Sequence, residues 1–182
     1  MTADLGLSVA DARAILAYDR ELFERFVRRL KRLPWREIVR EREIGHHTLL
    51  GTLVHILNVH EVWLVYVVPG RNDEIEALFQ SEARHPSSSW KAFDEYARRV
   101  WTGVAATAEG LTERSLGRRV KAPWMPGRYA VRDAVMQTTI EEAHHIGEII
   151  GALWQIDTPP PSRLTWIELL PGNQPRPPRS RR

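Results

Sequence analysis

The sequence predicts an all-α protein: a four-helix bundle with one long crossover connection and short extra helices. Four long segments repeat apolar residues at spacings of three and four, which is typical of helices with one buried face. No segment alternates apolar and polar residues with β-branched enrichment, so a sheet is not expected. At 182 residues and 43% hydrophobic, the chain has the size and composition of one domain with a substantial core.

The first two long helices are predicted from their start and stop residues. Ser8 followed three residues later by Asp11 resembles a capping box, and the helix after it is predicted from about Val9 to Leu33. The second helix is predicted from His47 or Thr48 to Val67, where Pro69-Gly70 ends it. It is apolar almost all round, which predicts the most buried position in the bundle.

The third and fourth long helices are separated by the predicted crossover. The third is expected from Trp90 to about Glu109, after a turn at Pro86–Ser89, with Gly110 at its end. Residues 111–128 contain two glycines and two prolines and are predicted to be irregular. The fourth helix is expected from about Val131 to Ile156, and short helices are predicted within residues 72–84 and 162–168.

The charge of the chain is concentrated at its C-terminus. The net charge is +3, but residues 173–182 hold four arginines and no acid, so the rest has 22 basic and 23 acidic residues. We therefore predict one domain over residues 1–172 and a disordered Pro/Arg-rich tail over residues 173–182. Because the folded part is not basic, nucleic acid is not expected as a partner; the tail offers only a weak, salt-sensitive contact to an anionic partner.

Residue usage restricts the chemistry and the compartment. There is no Cys, which excludes disulfides, thiolate-bound zinc, iron–sulfur clusters and a cysteine nucleophile. Any metal must therefore be bound by His and carboxylate side chains. The N-terminus lacks the pattern of a signal peptide, and the longest unbroken apolar run, residues 62–69, is too short to span a bilayer. A soluble, cytoplasmic protein without a membrane partner is expected.

A dense group of ionisable residues lies in the fourth helix, in the segment EEAHHIGE at residues 141–148. Glu141 and His145 are four residues apart and project from one helix face, which is a metal-ligand spacing. His55 stands alone in the apolar second helix. One ligand from one helix and two from another would form a three-point metal site with open positions.

Other interpretations of these residues are open at this stage. Glu141 and His145 also fit an ordinary charged helix face stabilised by side-chain pairing. His55 also fits a core histidine that donates to a backbone carbonyl. Gly51 lies one turn before His55, and because glycine in a helix costs about 1 kcal/mol relative to alanine, it indicates close approach of another backbone or room for a ligand.

A helical wheel divides the fourth helix into three faces. The main apolar arc is predicted to form the core and contains Val135, Met136, Ile140, Ala143, Ile146, Ile150, Leu153 and Trp154. A second, small or apolar stripe carries His145 and can be buried too. The remaining polar residues of the segment, Glu142, His144 and Glu148, are expected to be flanking or solvated, as is Gln137.

The other histidines are expected to lie outside the site. His60 is predicted to be a partly buried packing residue of the second helix, because it shares a face with leucine and tryptophan. His46, His47 and His85 have no suitably spaced partner in the sequence.

The chain resembles the DinB-like superfamily of four-helix-bundle metalloenzymes over Leu7 to about Gly172. Three features carry the resemblance: His55 followed by Glu61 and Trp63, the fourth-helix sequence HHIGEI at residues 144–149, and the aromatic segment LTWI at residues 164–167. Many members have a histidine four residues before the one aligned with His145. Here that position is Glu141, which matches the His/Glu/His variant of the mycothiol-dependent maleylpyruvate isomerase branch.

The resemblance implies a divalent metal bound by His55, Glu141 and His145, with no catalytic residue assigned beyond these ligands. Two imidazoles and a carboxylate suit zinc first, with nickel or iron also compatible. Characterised members activate a low-molecular-weight thiol at the metal, so a thiol S-transferase-like enzyme acting on a small molecule is the leading hypothesis. The alternatives are a bundle that binds a metal or small ligand without catalysis or only forms a dimer, and a metal-dependent hydrolase.

The resemblance also implies a homodimer. Four further residues are weighed for roles near the site: Tyr66 as a pocket residue, Glu148 as a proton relay, and Trp124 and Arg128 as substrate contacts. For Tyr66 and Glu148, a rim or surface position is the favoured alternative; for Trp124 and Arg128, only their place in the connection before the fourth helix supports the role.

Overall fold

The computed structural model describes residues 6–81 and 89–169. The predicted tail at residues 173–182, the domain boundary at residue 172, His85 and residues 86–88 of the predicted turn lie outside the described residues.

Four long helices form the body of the protein: α1 (Val9–Leu30), α3 (Leu49–His60), α5 (Trp90–Glu109) and α7 (Val131–Trp154). α3 continues without a break into a π-helical segment, Glu61–Val67. The predicted all-α class is confirmed. The third predicted helix has the observed bounds, whereas α1 ends three residues earlier than predicted and α7 two residues earlier.

Short elements fill the connections between the long helices. They are α2 (Trp35–Ile38), a 3₁₀ turn (Asn72–Glu74), α4 (Ile75–Phe79), α6 (Glu113–Leu116), β1 (Arg119–Val120), β2 (Tyr129–Ala130) and α8 (Trp166–Leu169). β1 and β2 pair antiparallel inside the predicted crossover. The expectation of no sheet missed this pair, because two-residue strands are too short to produce an alternating pattern.

Local capping explains where α1, α3 and α5 begin. The Ser8 hydroxyl accepts from the backbone N–H of Asp11, and the Asp11 carboxylate accepts from the backbone N–H of Ser8, which completes the predicted capping box. Thr48 caps α3 and Ser89 caps α5 in the same way, through their hydroxyls. These caps satisfy backbone N–H groups that no helical carbonyl can reach.

The four helices pack as a ring in which α1 and α3 each contact both α5 and α7. α5 and α7 therefore lie on opposite sides of the ring, and the connection at residues 110–130 must cross the bundle to join them. The core is apolar and aromatic, with Phe23, Phe26, Phe93 and Tyr96 among the largest fully buried side chains. Burial of this apolar surface is the main stabilising contribution to the fold.

The apolar character of α3 reflects its central position. Within the described residues, Leu49–Val67 is long and apolar enough to cross a membrane by composition, but 67% of its most apolar window is buried inside the protein. A core helix of a soluble protein has this pattern.

The exposed face of α7 corrects the predicted core of that helix. Ile140 and Trp154 are 58% and 59% exposed, and Ala143 is exposed as well, although all three belong to the predicted apolar arc. The buried face instead contains Thr138, Glu142, His145, Ile149 and Ala152. The helix therefore turns a more polar face towards the bundle than a ranking by hydrophobicity predicts.

Candidate metal centre

The structure brings His55, Glu141 and His145 together between α3 and α7. Oε2 of Glu141 lies 3.5 Å from Nε2 of His145 and 4.0 Å from Nε2 of His55. The two imidazole rings meet edge to face, with their centroids 4.6 Å apart. One carboxylate oxygen thus faces the same nitrogen of both rings, with each side chain at most about one third exposed.

Glu141 is held in this orientation by its own helix. Nε2 of Gln137, one turn earlier in α7, donates a hydrogen bond of 2.8 Å to Oε1 of Glu141. This bond occupies one carboxylate oxygen and leaves Oε2 directed at the histidines. Gln137 was predicted to be solvated and is instead half-buried beside the cluster.

Glu148 orients His145 from the other side, which corrects its predicted position as a solvated residue. Oε2 of Glu148 lies 2.9 Å from Nδ1 of His145, and the carboxylate also accepts from the backbone N–H of Gly45 at 3.3 Å. Burial raises the pKa of Glu148, but the hydrogen bond and charge of His145 outweigh burial, so the pKa lies below its ordinary value. An ionised Glu148 must accept, so Nδ1 carries a proton; in the neutral ring, Nε2 then has the lone pair that a metal ligand needs.

His46 also belongs to the cluster, although the sequence offered no partner for it. Its ring stacks on His55 with the centroids 3.8 Å apart and lies 5.0 Å from the ring of His145. One nitrogen from each of the three histidines lies within 4.8 Å of the other two. Burial lowers the pKa of His46 and the nearby His145 lowers it further, which favours the neutral ring that can bind a metal.

A tight turn before α3 places His46 over His55. His47 has a positive φ of 60°, and its N–H donates to the carbonyl of Ile44 at 2.9 Å. A Cβ atom at Gly51 would collide with the carbonyl oxygen of His46. Gly51 therefore permits the close approach of the backbone at His46, as its position inside a helix indicated. It is the sequence feature that could have pointed to His46.

The donor set fits a divalent cation. It offers imidazole nitrogens and one carboxylate oxygen. Glu141 is held by Gln137 and His145 by Glu148, both outside the cluster. A second carboxylate that fixes the tautomer of a ligand histidine is common at metal centres. Glu148 is also within reach of His144, which lies on the exposed side of α7. His144 is thus the solvated residue that the sequence predicted.

An aromatic cleft of about 320 Å³ opens beside His55. Its lining includes the side chains of Trp63, Phe79 and Trp124. The rings of Trp63 and Trp124 meet edge to face at 5.6 Å, and Trp124 remains 47% exposed. A small apolar molecule would fit this cleft next to the histidines. Larger cavities of about 440 and 470 Å³ lie elsewhere and are not lined by the histidine cluster.

Of the residues predicted to have possible roles in the pocket, one lies at the cleft and two lie elsewhere. Trp124 lines the cleft. Tyr66 instead packs against the guanidinium of Arg71, which lies 4.6 Å from the ring centroid. Arg128 donates to the backbone carbonyl of Arg119 across the short strand pair. Tyr66 and Arg128 therefore have structural contacts of their own away from the cleft.

The core contains a second polar cluster that the sequence did not predict. Asp19 of α1, His60 of α3 and Glu142 of α7 are each at most 1% exposed, and their donor atoms lie within 4.8 Å of one another. His60 was expected to be partly buried and Glu142 to be flanking or solvated, so both predictions were wrong. Burial raises the pKa of Glu142 well above its ordinary value, and the charge of Asp19 raises it further.

Comparison with known proteins agrees with this architecture. The sequence profile of the DinB superfamily matches residues 17–149, well over half of the chain. The chain belongs to the DinB superfamily. The matched region contains every residue of both polar clusters, and the resemblance seen in the sequence is thereby confirmed at the level of the superfamily. A search of curated proteins found no match.

Proposed function

We propose that this DinB superfamily member is a divalent-metal-dependent enzyme that activates a low-molecular-weight thiol for transfer or isomerisation. The observation that carries the proposal is Oε2 of Glu141 facing Nε2 of both His55 and His145, at 4.0 and 3.5 Å. Zinc suits these donors best, and nickel or iron is compatible with them. His46 is included as a fourth candidate donor, because its ring nitrogen lies within reach of the same ion.

A bound divalent ion would supply a Lewis acid that lowers the pKa of a coordinated thiol or water. The residues of the chain supply orientation and shelter. Gln137 and Glu148 hold the ligand side chains, and Glu148 holds the proton of His145 at Nδ1. Trp63 and Trp124 form an apolar wall beside His55, which favours an apolar electrophile next to the thiol.

The first experiment measures metal content and thiol conjugation. Protein purified without an affinity tag is analysed for divalent metals, and then incubated with monochlorobimane and a panel of cellular thiols. We expect metal-dependent conjugation with at least one thiol, lost in His145→Ala and retained in His144→Ala. His144 is the matched control because it is the adjacent histidine and is exposed.

Three outcomes would decide against the thiol transferase. Full metal content in both His55→Ala and His145→Ala would show that the ion is bound elsewhere. Metal bound at the histidines without conjugation of any thiol would favour a metal-binding bundle. Metal-dependent ester or amide cleavage without thiol would favour a hydrolase.

We also propose a homodimer formed through the exposed face of α7. Ile140, Ala143, Gly147, Gly151 and Trp154 recur at spacings of three and four, and all five are exposed. A Cβ atom added at Gly147 or Gly151 would have open space around it, so neither glycine is required by packing within the chain. Small residues between two large apolar ones allow two helices to approach closely.

Sedimentation analysis tests the dimer. Wild-type protein is expected to sediment as a dimer at micromolar concentration, and Ile140→Glu as a monomer. Ile167→Glu is the control, because Ile167 is also an exposed isoleucine and lies outside this face. A monomeric wild type, or an Ile140→Glu protein that remains dimeric, would overturn the assignment.

A further inference from the structure

Three helices of the bundle each contribute to its buried interior one side chain of a type that can bind a metal ion. Nε2 of His60 lies 3.5 Å from Oε2 of Glu142 and 3.9 Å from Oδ2 of Asp19. Donors bound to zinc at about 2.0–2.2 Å in a tetrahedron are roughly 3.3–3.6 Å apart. The observed distances from Nε2 of His60 to the two carboxylate oxygens are thus close to the donor separations around a bound zinc ion.

The orientation of His60 is that of a ligand. Its Nδ1 lies 2.9 Å from the carbonyl oxygen of Ile56, which can only accept, so Nδ1 carries a proton. In the neutral ring, Nε2 then presents its lone pair to the two carboxylates. A histidine whose other nitrogen donates to a backbone carbonyl is the usual arrangement at metal centres.

The oxygen atoms of Glu142 lack the partners that buried carboxylates normally have. Within the described residues, neither Oε1 nor Oε2 of Glu142 has a hydrogen-bond partner, and neither does Nε2 of His60. Asp19 is held in place by the hydroxyl of Thr139, which donates to Oδ2 at 2.7 Å. Three unpartnered buried atoms therefore point into one space, next to a carboxylate with a fixed orientation.

A divalent ion would balance the charges of the cluster when both carboxylates are ionised. Two ionised carboxylates carry two negative charges, and a protonated His60 would balance only one of them. A divalent cation balances both and also occupies the lone pairs of His60 and Glu142. Glu142 can bind through both oxygens, which gives four donor atoms with Asp19 and His60, and because all three residues are buried a substrate would have no access to the ion.

We infer that Asp19, His60 and Glu142 form a second, structural site for a divalent metal ion that ties α1, α3 and α7 together in the core. This site is independent of the proposed thiol chemistry. One imidazole and two carboxylates suit zinc, manganese or iron. Because the ligands are fully buried, the ion exchanges slowly, in contrast to an ion at the partly exposed histidine cluster.

Two adjacent residues provide a matched pair of variants. Glu141 faces the histidine cluster and Glu142 the buried cluster, so Glu141→Gln and Glu142→Gln remove the same charge at neighbouring positions of one helix. Glutamine preserves the volume of the side chain. At residue 142 its amide N–H can donate to Nε2 of His60, which keeps the core satisfied and the variant folded.

The experiment counts metal per chain in protein produced in zinc-supplemented medium and also unfolded and refolded with Zn²⁺. We expect two ions in the wild type, one in each single variant and none in the double variant. The ion kept by Glu141→Gln should resist EDTA for hours, while the ion kept by Glu142→Gln is removed within minutes. X-ray absorption of Glu141→Gln should show one imidazole and predominantly oxygen ligands.

The outcomes separate this inference from the proposed function. An equal metal content in Glu142→Gln and wild type, after both treatments, overturns the buried site. Two or more imidazole ligands around the ion kept by Glu141→Gln also overturn it. Loss of one ion in Glu142→Gln but none in Glu141→Gln supports the buried site and instead contradicts metal binding through Glu141.

Discussion

Glu148 offers the sharpest test of how the histidine cluster binds metal. Replacing it with alanine removes the acceptor that lies 2.9 Å from Nδ1 of His145, and His145 then loses its fixed tautomer and ring orientation. Residues in this role are typically worth about 10–100-fold in metal affinity, which corresponds to about 1.4–2.8 kcal/mol. The range agrees with about 1.5–3 kcal/mol for a hydrogen bond to a charged group.

The two possible replacements should differ in a defined order. Glu148→Gln keeps an oxygen that can accept from Nδ1 but loses the negative charge, so we expect a loss of about tenfold. Glu148→Ala loses both, and a loss nearer 100-fold is expected. Glu24→Gln is the control, because Glu24 pairs with Arg20 and Arg28 on the exposed side of α1.

The assay is a competition titration of metal-free protein with Zn²⁺ against a chromophoric chelator near neutral pH, with thermal melting to confirm that each variant is folded. Glu24→Gln should match the wild type. An affinity within twofold of the wild type for folded Glu148→Ala would refute the assigned role of Glu148 in orienting His145.

Three stability predictions follow from packing and capping, each measured by urea denaturation. Phe26→Ala should lose about 3–5 kcal/mol, because Phe26 is fully buried and leaves a cavity; a loss below 2 kcal/mol would contradict its place in the core. Gly103→Ala should lose about 1–3 kcal/mol, because its Cβ would lie 2.7 Å from Cγ2 of Val65, and an unchanged midpoint would show that Val65 can move. Ser89→Ala should lose about 1 kcal/mol with the cap of α5; unaltered stability would mean that water replaces the hydroxyl.

The helices could be predicted from the sequence because their signals are local. Ser8 and Thr48 stand at the start of helices that they cap, and apolar residues recur at helical spacing behind them. The spacing of Glu141 and His145 is local too, since both lie on one helix. Their meeting with His55 is a tertiary contact; residue types and spacing gave it as one of several interpretations, and the resemblance to a known family favoured it.

Residues that reach a cluster through the tertiary fold could not be predicted. His46 is nine residues from His55 in the chain and stacks on it because of the turn at His47 and the missing Cβ of Gly51. Asp19 lies within an amphipathic helix whose polar residues are mostly solvated, so nothing in its neighbourhood indicates burial. Only the packing of α1 against α7 brings it to Glu142.

The end of α3 shows how backbone geometry changes a face. A regular α-helix would place Tyr66 on the same side as His55, three turns on. From Glu61 the helix is π-helical, and its wider turn rotates each later residue by less than an α-helix does. Tyr66 consequently moves away from the cleft towards Arg71, while Trp63 contributes to the cleft.

The α7 helix shows why a ranking by hydrophobicity did not predict which face of this helix is buried. A helix ordinarily buries its most apolar face, but here Ile140, Ala143 and Trp154 point outward while Glu142 and His145 point inward. Burying two ionisable side chains is unfavourable unless something balances their charge. The cost is met if an ion or a bound proton neutralises the carboxylates and a second chain covers the apolar face. The orientation of α7 therefore supports both the metal sites and the dimer. If the protein bound no metal and stayed monomeric, the burial of the polar face and the exposure of the apolar face would have no physical explanation.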